Sequence, residues 1–208
     1  MLVHIIADYG PAGDLAFAEV VQRIKLHLPD AEPVLTPVPP FATLAAGFCI
    51  AQLGLNDAPA GTIIYHNVAP RQDVEEAREA NAGERLAFAR LPTRVRVIGV
   101  NAGHTFSFVR DAAEELRWAA VPAAGSQFRS RDLFPQAAAA IALGHPDALA
   151  ETINLNQVYF EIRSFSTSGS SCIFSASRSA KAMGSWLIVS WKSATLVSRP
   201  SRLAWQFW

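Results

Sequence analysis

The apolar run Leu2–Ala7 breaks at once into Asp8-Tyr9-Gly10-Pro11-Ala12-Gly13-Asp14 and then into a helical pattern. No other feature constrains the fold as much. A buried strand that ends in polar residues and feeds a helix is the repeating unit of an open α/β sheet. Such sheets receive ligands at the carboxyl ends of their strands.

The pattern recurs along the chain. Residues 14–28 place Leu15, Ala18, Val21, Ile24, Leu26 and Leu28 near helical spacing, and Pro29 ends the run. Residues 32–38 read as a strand that Pro33 and Pro37 keep short or at an edge. An apolar helix over 41–55 and a β-rich strand over 61–68 follow. Residues 71–84 are highly charged and read as a solvated loop or helix. Residues 85–90, 94–100 and 105–109 read as strands, 111–118 as a short helix and 134–143 as the last helix. The expectation is an α/β layered domain with a mostly parallel sheet over residues 1–155.

The formal net charge of zero hides an asymmetry. Residues 1–161 hold all 18 acidic residues and 12 of the 18 basic ones. The remainder has six basic residues, 13 serines and four of the five tryptophans. Its cations are scattered singly, unlike a nucleic-acid-binding or membrane-binding tail. A shift of reading frame near residues 160–163 fits this composition best, so residues 156–208 read as a degenerate segment. Cys49 and Cys172 are too few for a disulfide framework and lack metal-ligand spacing. No apolar run approaches bilayer length, and no signal peptide precedes the first strand, so the expected location is cytoplasmic.

Four polar clusters close candidate strands: residues 8–14, 66–73, 101–104 and 126–132. In a parallel sheet such ends share one edge, where Asp8, Asn67, Asn101 and Ser130 would meet. Each has a plainer reading. Asp8 caps a turn, Asn101-Ala102-Gly103 is a glycine turn, and His66 and His104 are ordinary hydrogen-bonded residues. In the last cluster, Ser126, Arg129 and Arg131 lie just ahead of an alanine-rich helix, a place suited to an anion or polar ligand.

The order of these clusters resembles the S-adenosylmethionine hydroxide adenosyltransferase family, which includes the fluorinases and chlorinases. Asp8-Tyr9-Gly10 matches its opening Asp-Phe-Gly, and Pro40-Phe41 its proline-aromatic step. Gly61-Thr62-Ile63 and Val68-Ala69-Pro70-Arg71 resemble its Gly-Thr-Val and Val-Asp-Pro-Gly. Val100-Asn101-Ala102-Gly103 resembles Pro-Asp-Asn-Gly. The run from Gln127 through Asp132 to Pro135 resembles Thr-Phe-His-Gly-Arg-Asp-Ile-Phe-Ala-Pro. The match covers roughly residues 1–150, and its last motif is the most specific.

The resemblance implies an N-terminal α/β domain, a small C-terminal β-barrel and a homotrimer with the ligand between subunits. Here a truncated or scrambled segment replaces the barrel. The implied activity is hydrolysis of S-adenosylmethionine, as substrate and with no cofactor, to adenosine and methionine. The alternative is a nucleoside-binding or S-adenosylmethionine-binding protein without catalysis. Asp8 would hold the ribose hydroxyls and Phe41 would stack on the ligand, with Tyr9, Asp14, Asn67, Asn101, Ser126 and Arg131 as further substrate-binding candidates. Arg129, Ser130 and Asp73 are the catalytic candidates: Ser130 sits where halogenases place a serine beside the nucleophile, and the two arginines would shape an anion. The sequence departs from the hydrolases at Ala69, where they carry Asp, and at Arg129, where they carry His. Gly13 takes the place of a second acidic residue, with Asp14 beside it. Asp73, His66 and His104 are the available substitutes for the missing base.

Overall fold

The computed structural model describes residues 1–68, 85–122 and 128–158. Among them the chain runs β1 (Leu2–Ala7), α1 (Leu15–His27), β2 (Glu32–Pro37), α2 (Thr43–Gly54), β3 (Ile63–Asn67) and β4 (Leu86–Arg90). It continues through β5 (Arg96–Val100), β6 (Glu115–Ala119), α3 (Arg129–Asp132), α4 (Phe134–Ala142) and β7 (Leu149–Thr152). The strands form one sheet in the order β2-β1-β3-β5-β4-β6-β7. β2, β1, β3 and β5 are parallel neighbours, while β4, β6 and β7 join through antiparallel pairings. Only β4 and β7 therefore run against the rest, which makes this a mixed α/β fold with a mostly parallel sheet.

Position in the sheet explains the sequence of each strand. β1 lies between two neighbours and is covered on both faces, so Ile5 and Ile6 are both fully buried and His4 is the one polar residue of the run. β2 is an edge strand, where Pro33 and Pro37 forfeit no ladder bond that a second neighbour would need. Helix α1 begins at Asp14, whose Oδ1 accepts from the Ala16 amide at 2.9 Å. It buries Phe17, Val20 and Ile24 against one face of the sheet. That core also holds Ile5, Tyr65, Ile98 and, from α4, Phe134 and Ile141. Each such fully buried side chain contributes about 1.5–3 kcal/mol.

Strand alternation turns Ile64 and His66 to the opposite face, where α2 packs. Gly47 lets α2 lie against the turn segment after β5, since a Cβ there would collide with the His104 carbonyl oxygen.

Two expected elements take another form. Residues 105–109 are not a strand but consecutive turns, closed by bonds such as Arg110 N–H to Phe106 O at 2.9 Å. All five are buried, without the alternation of a half-covered strand. The Thr105 hydroxyl donates to Val100 O at 2.9 Å and folds the segment back on the end of β5. The expected helix over 111–118 is instead turn followed by β6, where buried Leu116 and Trp118 alternate with Glu115 and Arg117. Period two, not 3.6, governs that segment. α3 and β7 are additional to the expected elements. The charged stretch 71–84 and the tail from residue 159 on lie outside the described residues.

Candidate functional site

Because β1, β3 and β5 are parallel, Asp8, Asn67 and Asn101 emerge at one edge of the sheet. Ala7 pairs with Asn67, and His66 with Gly99 one step before the end of β5. The Asp8 carboxylate reaches from β1 to the turn before α2, accepting from the Phe41 amide through Oδ2 at 2.9 Å. Phe41 is 45% exposed and has φ of +60°, a left-handed conformation unusual for a bulky residue. Asp8 therefore presents an aromatic ring to solvent in a strained conformation at the strand end. Holding it costs on the order of 1–3 kcal/mol.

Tyr9 turns inward and packs edge-on against Phe17, with ring centroids 5.1 Å apart. Its hydroxyl is enclosed beside the Asn67, Ser130 and Tyr65 side chains, yet is aligned with none of them for a hydrogen bond. Burial pushes its pKa up to about 12, and the nearby Asp8 charge adds to the rise. Tyr65, fully buried in β3, donates from Oη to the Ser130 carbonyl at 3.0 Å. Burial raises its phenol well above the usual value too, followed by the effect of Tyr9. Both phenols are neutral at physiological pH. They can donate or accept hydrogen bonds but offer no base.

The sheet edge thus brings together Asp8, Tyr9, Asn67 and Ser130, with Phe41 alongside through its amide. Tyr65, unremarked in the sequence except as part of a strand, belongs with them. The signal was present: a tyrosine between Ile64 and His66 in a buried strand must find a partner for its hydroxyl.

Other candidates have structural occupations. Asp14 caps α1 and lies against Gly10, whose φ is +116°. Asn101 donates to Gln157 O at 2.9 Å, fastening the turn at 155–157. Arg131 pairs with Asp132 at 2.7 and 3.1 Å and approaches Glu19 at 3.7 Å. Its guanidinium also lies over Phe128, 5.0 Å from the ring centroid. Together with Glu19, Gln22, Arg23 and Leu26 it lines an open depression of about 370 Å³ that none of the strand-end residues reaches. Arg129 stands over Phe134 at 5.1 Å, its Nε enclosed without a hydrogen-bond partner. Asp73 and Ser126 lie outside the described residues, as does Ala69.

His66 is not the hydrogen-bonded residue of the plainer reading, and its burial does not suit it to replace the missing base. It is fully buried, and neither ring nitrogen has a hydrogen-bond partner. Its ring meets Phe106 edge-on at 5.0 Å and occupies the room left by Gly99. Burial lowers its pKa to about 3. His104 Nδ1 lies 3.4 Å from the Ser107 hydroxyl, and burial lowers its pKa as well.

No group of three His, Cys, Asp or Glu among the described residues could hold a metal ion. No described helix is long and apolar enough to cross a membrane.

No protein-family model matches the chain, and no curated protein matches it. Solved structures do. An uncharacterized conserved protein from Thermotoga maritima superimposes with a TM-score of 0.57 at 18% identity, over 77% of this chain and 61% of that one. A conserved hypothetical protein from Thermus thermophilus gives a TM-score of 0.54 at 21% identity, over the same shares. The chain is similar to both in fold, and spans about three fifths of their length.

Proposed function

We propose that this chain binds S-adenosylmethionine at the carboxyl edge of β1 and β3 and transfers its adenosyl group to water. The observation that carries the reading is the convergence of Asp8, Tyr9, Asn67 and Ser130 on one sheet edge, with Phe41 exposed beside them. A carboxylate suits two neighbouring ribose hydroxyls, since both can donate to it in charge-assisted bonds. An exposed aromatic ring at a strand end suits a purine face.

In the proposed reaction the water oxygen forms a bond to the ribose C5′ as the C5′–sulfur bond breaks. The bonding pair leaves with the sulfonium sulfur, which becomes the neutral thioether of methionine, and the water proton passes to solvent. The leaving group needs no acid, so catalysis rests on holding water in line and on excluding other water. Arg129 and Ser130 would flank the nucleophile, with Asp73 as the acidic candidate. On this reading the protein is cytoplasmic, engages neither nucleic acid nor membrane, and forms a homotrimer where a C-terminal barrel is present.

A second reading, binding without catalysis, is favoured by the chemistry around Ser130. Its neighbours Tyr9 and Tyr65 are phenols that burial keeps protonated, and the hydrolase Asp and His are replaced by Ala69 and Arg129. Two measurements separate the readings. Incubation with S-adenosylmethionine, followed by chromatography, should release equal amounts of adenosine and methionine if the chain is a hydrolase. Calorimetric binding of adenosine with no product would support the binder. Neither binding nor product would sink both.

A further inference from the structure

The volume of Tyr65 is explained by packing, but its hydroxyl is not. Phenylalanine would fill the same space in β3, whereas a buried hydroxyl is a penalty unless it is bonded. Tyr65 uses its single proton on the backbone carbonyl of Ser130, 65 residues further along the chain. α3, which receives that bond, is tied down at its C-terminal end, where Leu133 packs on the core and α4 begins, so the Tyr65 bond acts on its first turn. It is four residues long, buries no residue and has no side-chain cap at its start. Arg131 mostly grips its own neighbour Asp132, and its approach to Glu19 is long at 3.7 Å between partly exposed groups.

We propose that Tyr65 is a positioning residue that holds α3, and with it Arg129 and Ser130, against the carboxyl edge of the sheet. The bond runs from a fully buried tyrosine to a helix none of whose four residues is buried. Its loss would free α3 to open without loosening the core. The placement of α3 goes beyond the proposed function; its consequence for a bound nucleoside rests on that reading.

Limited digestion of the full chain with trypsin, mapped by mass spectrometry, tests this directly because Arg129 is itself a cleavage site within α3. Tyr65→Phe should speed cleavage after Arg129 about five- to tenfold, the increase in open population expected for one lost hydrogen bond. Cleavage after Arg94, in the exposed turn before β5, should keep the parent's rate. An unchanged rate in Tyr65→Phe would overturn the proposal. So would equal acceleration at Arg94, because core loosening would then explain the effect. Adenosine affinity of Tyr65→Phe, measured beside the parent, should fall together with α3 protection. A parent that binds no adenosine removes the functional reading, while the tryptic pattern still decides whether Tyr65 places α3.

Discussion

The two halves of the sheet treat polar groups in opposite ways. In the antiparallel half, charges sit on the surface and are paired: Arg90 with Glu114 and Glu115, and Arg85 with Glu151. In the parallel half, polar groups are taken inside and left short of partners. The enclosed side-chain atoms without hydrogen bonds among the described residues belong to His4, Tyr9, His66 and Arg129. Two of these residues lie in β1 and β3, one lies two residues past β1, and one lies in α3. Buried polar groups are nearly always bonded, so a concentration of exceptions marks a region shaped by something besides stability. The antiparallel strands complete the sheet; the parallel strands carry its polar interior and its candidate site.

The largest effect expected from this contrast is acid sensitivity centred on His66. Its folded pKa of about 3 lies far below the ordinary 6.5, so the unfolded chain binds the proton more readily. The contribution of His66 to stability is therefore complete above pH 6.5 and is lost as pH falls from there toward 3. The slope is at most about 1.4 kcal/mol per pH unit, and the total is on the order of 5 kcal/mol. Urea unfolding of the parent at pH 7 and pH 4 should show the loss, and His66→Phe should flatten it. An equal slope in the variant would move the acid sensitivity elsewhere.

Gly99 is the other side of the same arrangement, because a Cβ there would collide with the His66 ring. Gly99→Val should cost about 3 kcal/mol through overpacking, read as a lower urea midpoint at pH 7. Combining it with His66→Ala should recover part of that loss, since the two residues are in contact. Additive losses would mean that the glycine has another purpose.

At the sheet edge, Asp8→Ala removes the acceptor for the Phe41 amide and the carboxylate proposed for ribose. It should weaken adenosine binding by about ten- to a hundredfold, the equivalent of roughly 1.5–3 kcal/mol for a charged hydrogen-bond partner. Asp8→Asn keeps an acceptor for Phe41 and should separate the two roles. Calorimetric affinity for adenosine unchanged in Asp8→Ala would remove Asp8 from the site.

Much of this organisation is legible in the sequence, for physical reasons that differ by element. Leu2–Ala7 shows as a strand because a parallel strand with a neighbour on each side is mostly apolar on both faces, His4 being its one polar residue. Pro33 and Pro37 mark β2 as peripheral because an edge strand can spare the N–H that proline lacks. Residues 105–109 mislead because all five are buried, and burial on every side erases the period that separates strand from turn. For the candidate site, sequence order locates the strand ends but not the side chains' tasks. Asp8 and Asp14 look alike in the sequence; one reaches Phe41 and the other caps α1. Tyr65 is hidden because its partner is a backbone carbonyl 65 residues away, and backbone acceptors leave no trace in side-chain pattern.

The smallest effect belongs to the antiparallel half. Arg90 closes β4, where it faces Glu115 across the ladder and bonds Glu114 at 2.8 Å and Glu115 at 3.4 Å. The geometry is good, but the Arg90 and Glu114 side chains are nearly half exposed, and water screens the attraction. Glu115 also keeps a second cation in reach, Arg117 at 3.7 Å, so it would not be left alone. Arg90→Ala should therefore lower stability by less than about 1 kcal/mol. What difference exists should shrink as salt rises from about 0.05 to about 1 M, where the screening length falls to roughly 3 Å. Chemical denaturation with urea, which adds no ionic strength, can read both quantities. A loss above about 2 kcal/mol that salt leaves unchanged would exceed what exposed pairs supply. These surface charges would then carry as much as the buried polar groups of the parallel half, and the contrast between the halves would collapse.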